Sequence, residues 1–242
     1  MYSNDTLNGA RLSTLLINEG TQAVRRILDN KITPGDLQNV LNKTRNKRTF
    51  NYLLNNAKIL NQRQYNLLYP PAGQIPSSAN FDITLLILLI RNLCGLQPSN
   101  WSGWNQNPQP NDQSQVADVI RIRQFRNELY GHIVNTEISD TQFTQYWSDI
   151  SDVLIRLGSK PSDIEKYKTQ SLDPMTRVEV ITRLIELCRE DHHFYQNAIR
   201  GELEEMERTL ILKIEGRLNS TPYRRTHSNF LMLMSGECIN CI

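Results

Sequence analysis

Cysteine is scarce in this chain. The four present in 242 residues, Cys94, Cys188, Cys238 and Cys241, are too few and too unevenly placed for a disulfide framework. A reducing, cytoplasmic setting is expected. Long apolar runs are absent too: the longest, Ile83 to Ile90, includes Thr84 and stops at Arg91, well short of the roughly 20 residues a membrane span needs. No membrane partner is expected. The opening MYSNDTLNGARL has no basic stretch followed by an apolar core, so no secretory signal is expected. No Gly-rich phosphate-cradling loop occurs, which argues against NTP hydrolysis. Strict apolar/polar alternation is missing, and no period of 20 to 50 residues recurs, so neither strands nor a solenoid are expected. An excess of one charge is lacking as well. The net charge is +2, although residues 1–160 carry 16 Lys/Arg against 12 Asp/Glu while 161–242 carry 11 against 13. The first part is therefore the better candidate for touching phosphate.

Helical periodicity is what the chain does have. Leu7, Leu12, Leu15, Leu16, Val24, Ile27 and Leu28 recur at helical spacing and predict a first helix. Thr33-Pro34 supplies an N-cap and a proline at the first helical position, predicting a second helix through Leu37, Val40 and Leu41. Shorter pieces around Tyr52–Leu60 and Arg63–Leu68 end at Tyr69-Pro70-Pro71, where proline forbids continuation. Phe81 to Leu93 is apolar nearly all round, so other helices must cover it on several sides. Three prolines and two tryptophans between Gly95 and Asp112 predict an ordered loop or a flap. Trp101 and Trp104 there either stack on bases or plug the end of the bundle. Asp112 or Ser114 opens the next helix, Ser139 or Asp140 the one after, and Gly158 closes it.

From Pro161 the pattern changes. Asp173-Pro174 opens a long stretch with a seam through Val178, Ile181, Ile185, Cys188, His192, Tyr195, Ile199, Leu203, Met206, Leu210 and Ile214, which reads as a short coiled coil with a stutter, a bent hairpin, or one helix laid back on the bundle. The expected organisation is an all-α bundle over 1–160, a helical, coiled-coil-like extension over 161–220 that offers a surface to protein partners, and a poorly ordered tail over 221–242. Cys238-x-x-Cys241 has half of a zinc-knuckle spacing and no second pair, and His192-His193 lacks companion ligands. No metal and no cofactor are expected. Lys43, Arg45, Lys47 and Arg48 form a basic cluster that is either a phosphate contact or a solvated helix end.

Chemistry concentrates in Arg121-Ile122-Arg123-Gln124-Phe125-Arg126-Asn127-Glu128-Leu129-Tyr130-Gly131-His132. At about 100° per residue, Ile122, Phe125, Leu129 and Ile133 form a core stripe with Arg126 inside its edge and His132 beyond the opposite edge. A guanidinium drawn inward cannot lose its proton, so it needs a carboxylate or a phosphate. A buried acid such as Asp82 or Asp118 is one partner for it, with His132 merely capping a helix end. RNA phosphate is the other.

Arg126-Asn127 followed by His132 matches the R-x(4–6)-H signature of HEPN domains. With LINEGTQAVRRILD, YNLLYP, FDITLLILLIRNLCGL, the GW of the tryptophan loop, RNELYGH and YWSDISDVLIRLG, the first part of the chain resembles the HEPN-like domain of the DAZ-interacting zinc-finger ubiquitin-ligase family. The resemblance implies a helical bundle that pairs as a homodimer through the motif helix, Val116 to His132, with RNA as the ligand and metal-independent endoribonuclease activity in active members. Arg126, His132 and Asn127 are then the candidate catalytic residues. His132 would take the proton of a ribose 2′-hydroxyl while Arg126 holds the phosphate, leaving a 2′,3′-cyclic phosphate. Asn127 would fix the phosphate or imidazole, and Arg123, Tyr130 and Glu128 are further candidates for the RNA contact. The alternative is a non-catalytic dimerisation and interaction module, as in larger immune or ubiquitin-pathway proteins. No RING pattern of cysteine and histidine is present, so ubiquitin transfer by this chain alone is not expected.

Overall fold

A computed structural model describes residues 4–99, 103–135, 138–173 and 175–188, with the side chains of 4–6 and 131–135 outside the description. The chain divides into Met1–Asn197 and Ala198–Ile242. The second unit lies wholly outside the described residues, as do Trp101, the expected seam beyond Cys188 and the Cys238/Cys241 pair. The described residues contain helices and no strands, so the fold is all-α.

Packing is organised around the greasy segment. Asp82, extended at φ −76 and ψ 170, caps α6 (Ile83–Leu93) by accepting from the Leu85 amide at 2.9 Å. Every residue from Ile83 to Ile90 is buried. Each leucine or isoleucine so enclosed contributes about 1.5–3 kcal/mol, which is why a helix without a polar face has to sit at the centre. Along it packs α2 (Thr21–Lys31). The sequence pattern predicts one unbroken helix from the N-terminus through Leu28. Instead, α1 (Asn4–Leu15) enters α2 through a π-helical turn, Leu16–Gly20.

That turn buries a carboxylate. Glu19 accepts from Arg26 Nη2 at 3.2 Å and from the Ser159 hydroxyl at 2.7 Å, while Arg26 also donates to Ser159 at 2.6 Å. The three-residue network ties the π turn to the junction where α8 (Asp140–Arg156) gives way to α9 (Pro161–Thr169). Ser139 starts α8 with a capping box: its hydroxyl accepts from the Gln142 amide and its own amide donates to Gln142 Oε1. At the other end Gly158 takes φ 89, and the Ser159 amide reaches back to the Leu154 carbonyl at 2.9 Å. Such a six-to-one bond with a left-handed residue beside it terminates a helix without orphaned carbonyls. Ser114 caps α7 (Gln115–Asn135) through the Ala117 amide at 3.2 Å.

One predicted boundary shifts. The Thr33 hydroxyl donates to the Asp36 carboxylate at 2.8 Å and caps no amide, residues 34–36 form a turn, and α3 (Leu37–Asn42) begins three residues later. It packs on α4 (Thr44–Asn55), which meets α5 (Gln62–Leu68). Tyr65 donates to Asn51 Oδ1 at 2.5 Å and Tyr69 to the Leu41 carbonyl at 3.0 Å, fastening these short helices together.

Packing continues through Gly158. Ile164 and Tyr167 of α9 belong to the same core. Asp173 then accepts from the Met175 and Thr176 amides at 3.0 Å each, opening a helix over residues 175–188. Its buried stripe is Leu184, Leu187 and Cys188, whereas Val178, the first residue of the expected seam, stands exposed. Leu187 and Cys188 lie three and four residues after Leu184, the spacing a helix uses to sit on a bundle.

Two acidic protons are held tightly by this packing. Burial pushes the Cys94 thiol up to about 11, against a smaller opposing pull from Lys31. Burial, then the neighbouring Tyr65, pushes the Tyr69 phenol up to about 12. Both groups are neutral when protonated, so above a pH of about 9 the unfolded chain sheds protons that the fold retains. Stability therefore falls as pH rises toward the folded-state values. Urea midpoints measured from neutral to strongly alkaline pH will show the decline, and Cys94→Ser with Tyr69→Phe will make it shallower. Identical slopes for the parent and the double variant would refute the assignment.

Candidate functional site around Arg126

The motif lies on α7, whose Ile122 and Leu129 are fully enclosed and whose Phe125 packs half-buried on the core, as the predicted stripe requires. Arg126, on the edge of that stripe, is 1% exposed and ranks among the largest fully buried side chains. Its Nη1 donates to Thr84 Oγ1 of α6 at 3.0 Å. Its Nε and Nη2 both donate to Asn127 Oδ1, at 3.3 and 3.2 Å. Asn127 is itself exposed. The Asn127 amide oxygen thus sits across the Nε/Nη2 edge, the edge that arginine offers to a carboxylate or phosphate.

Both acids considered as partners for Arg126 are engaged elsewhere. Asp118, 1% exposed, accepts from Arg121 at 2.8 Å and from Arg156 through two bonds of 2.8 and 2.7 Å. Hydrogen bonding to Asp118 is the largest influence raising the Arg156 guanidinium above its ordinary value. Asp82 caps α6 and pairs with Arg183 at 3.6 Å. Arg183 belongs to the 175–188 helix, which also brings Cys188 Sγ to 3.6 Å from the Arg126 carbonyl and 3.8 Å from Asn127 Oδ1.

The other candidates separate. Arg123 is buried and donates to the Trp104 carbonyl at 2.8 Å, so its charge holds the tryptophan loop. Arg121 does the same from its own position, donating to the carbonyls of Asp112 at 2.6 Å and Gln109 at 2.7 Å. Trp104 plugs into the core. Glu128 is exposed, and its negative charge, after burial, helps raise the Tyr146 phenol of α8. Tyr130 packs half-buried against the core. His132 falls within α7 by backbone, and its side chain lies outside the described residues. The structure therefore joins Arg126 to Asn127, sends Arg123 to the loop and leaves Glu128 on the surface.

Thr84 and Cys188 were missed as neighbours of the site. Thr84 had a signal, being the one hydroxyl in the apolar run of α6; Cys188 had none beyond its place in the helical seam. No group of three or more His, Cys, Asp or Glu among the described residues is arranged to hold a metal ion, and no helix among them is long and apolar enough to cross a membrane.

A family model described as DZIP3/hRUL138-like HEPN matches residues 34–180. The E3 ubiquitin-protein ligase DZIP3 of Homo sapiens is 33% identical over 161 residues, and that of Mus musculus 32% over 161. Each alignment covers 66% of this chain and 13% of the relative, so the chain matches a small part of the length of these ligases. No solved structure matches it. Residues 34–180 contain α3 to α9 with Thr84, Arg126 and Asn127, and on that match the chain belongs to the DZIP3/hRUL138-like HEPN family.

Proposed function

We propose that the chain is an RNA-directed HEPN-like module whose α7 carries the RNA site and pairs with α7 of a second copy. One observation carries this reading: the exposed Asn127 accepts from two N–H groups of the fork of the buried Arg126. An RNA phosphate offers two charged oxygens to the same two N–H groups, a stronger pairing than the amide supplies. Once displaced, the Asn127 amide donates to the phosphate. In a cleaving form, the His132 imidazole takes the 2′-hydroxyl proton, the 2′-oxygen attacks the adjacent phosphorus and the bond to the 5′-oxygen breaks, the 5′-oxygen taking its proton from water. The products are a 2′,3′-cyclic phosphate and a 5′-hydroxyl, and Arg126 steadies the negative charge that builds between them.

A second reading, a non-catalytic interaction module, is favoured by the burial of Arg126 and by Met175 and Val178, exposed at 74% and 65% on the 175–188 helix. Incubating a structured RNA with the parent, Arg126→Met and His132→Ala in the presence of a chelator separates the two. Cleavage by the parent that drops about 100-fold or more in both variants supports the nuclease. Equal binding without cleavage in all three supports the interaction module.

A further inference from the structure

A second surface stands apart from the α7 site. From Leu37 to Phe81 the chain holds Lys43, Arg45, Lys47, Arg48, Lys58 and Arg63 and no aspartate or glutamate. Between Asp36 and Asp112 there is a single acid, Asp82, and it is paired with Arg183. Neither α3 nor α5, the helices packed on α4, contains a carboxylate. Arg45, Lys47 and Arg48 are exposed, and no ion pair engages them or Lys43 among the described residues.

Helical geometry sorts these side chains. Taking about 100° per residue, the outer arc of α4 runs Lys47, Asn51, Arg48, Tyr52, Arg45, opposite the buried Phe50 and Leu53. Tyr52 is 54% exposed between the two arginines. On the other border Lys47 Nζ lies 5.9 Å from the centre of the Tyr69 ring, itself 4.8 Å from that of Tyr65. Cations, amides and aromatic faces therefore alternate across one surface. The first turn of α4 has no acid, so these cations crowd a helix end where positive charge is unfavourable. Fold stability does not explain their position.

We infer that α4 is a docking surface for single-stranded RNA, with Lys43, Arg45, Lys47 and Arg48 on the phosphates and Tyr52 stacked on a base. A membrane surface would call for apolar side chains among the cations, whereas an unpaired nucleic-acid strand uses both the cations and the exposed ring between two arginines. Phosphate contacts supply affinity without sequence preference, and base stacking adds to them on unpaired strands. This inference rests on the reading of RNA as ligand but on none of the α7 residues.

The test measures anisotropy of a labelled, uridine-rich single-stranded RNA across a range of salt. It compares the parent, the Lys43→Gln/Arg45→Gln/Lys47→Gln/Arg48→Gln variant, Tyr52→Ala and Arg126→Met, with phosphatidylserine vesicles as a second ligand. The fourfold variant is expected to bind about tenfold or more weakly, with the salt slope smaller by about 2 to 3, and to melt no lower than the parent. Tyr52→Ala is expected to weaken binding about fivefold or more at unchanged slope. Parent-like affinity in the fourfold variant overturns the α4 surface, and a silent Tyr52→Ala overturns its stacked form. If the parent binds vesicles and not RNA, both this inference and the RNA reading fall. If RNA binding depends on α4 while Arg126→Met and His132→Ala change neither binding nor cleavage, the α7 reading falls and α4 stands.

Discussion

Asp118→Asn will cost the fold about 3 kcal/mol and lower its melting temperature by roughly 6 to 12 °C. The substitution keeps the shape and removes only the charge. Asp118 is enclosed, Arg121 is nearly so, and Arg156 is partly solvated, with side chains 1%, 14% and 31% exposed. An amide presents one acceptor oxygen where the carboxylate presents two, so the paired bonds from Arg156 Nε and Nη2 cannot both survive. Two guanidinium groups are left facing each other without the anion between them. Partial exposure of Arg156 places the cost at the lower end of the range for broken buried pairs. Since Arg121 also clamps Asp112 and Gln109, the tryptophan loop will loosen with it. Chemical denaturation of the purified chain is the measurement, and a loss under about 0.5 kcal/mol would show the cluster to be a surface pair.

Arg126→Ala and Arg126→Met will part company. Alanine removes the whole enclosed stem, leaves a cavity beside α6 and deprives Thr84 of its donor, a combined loss of about 3–4 kcal/mol. Methionine refills most of the volume without a charge, and exchanging a buried ion for a well-packed apolar chain costs under about 1.5 kcal/mol. Thr84 can then turn its hydroxyl to a carbonyl of its own helix. Thermal melts of both variants decide it: equal, large losses would mean that the guanidinium's bonds, more than its bulk, hold α7 against α6. The methionine form is for this reason the right probe of function, because its effect on RNA is not confounded by unfolding.

Local signals carried much of the architecture. Ser139 and Gln142 announce the start of α8 and Gly158 its end, because caps are written in adjacent residues. The burial of Arg126 followed from its angle to Ile122 and Leu129. Other features depend on residues far apart and escape such reading. The sequence offers Asp118 as a partner for Arg126, yet eight residues of one helix separate them by about 12 Å; its second arginine, Arg156, comes from another helix. Arg123 carries a charge that suggests phosphate, but the Trp104 turn closes over it. The π turn leaves no mark in the spacing of apolar residues, since one added residue changes phase without breaking the helix.

That change of phase governs what the N-terminal helix can do. A π turn holds one residue more than an α turn, so it spares everything after Gly20 the further turn of about 100° that an unbroken helix would add. The first half can press against α7, α8 and α9 while the second lies along α6. Were Leu16–Gly20 to close as ordinary α-helix, everything after Gly20 would turn by about 100°, and a rod that now serves two sets of neighbours would be left able to serve only one.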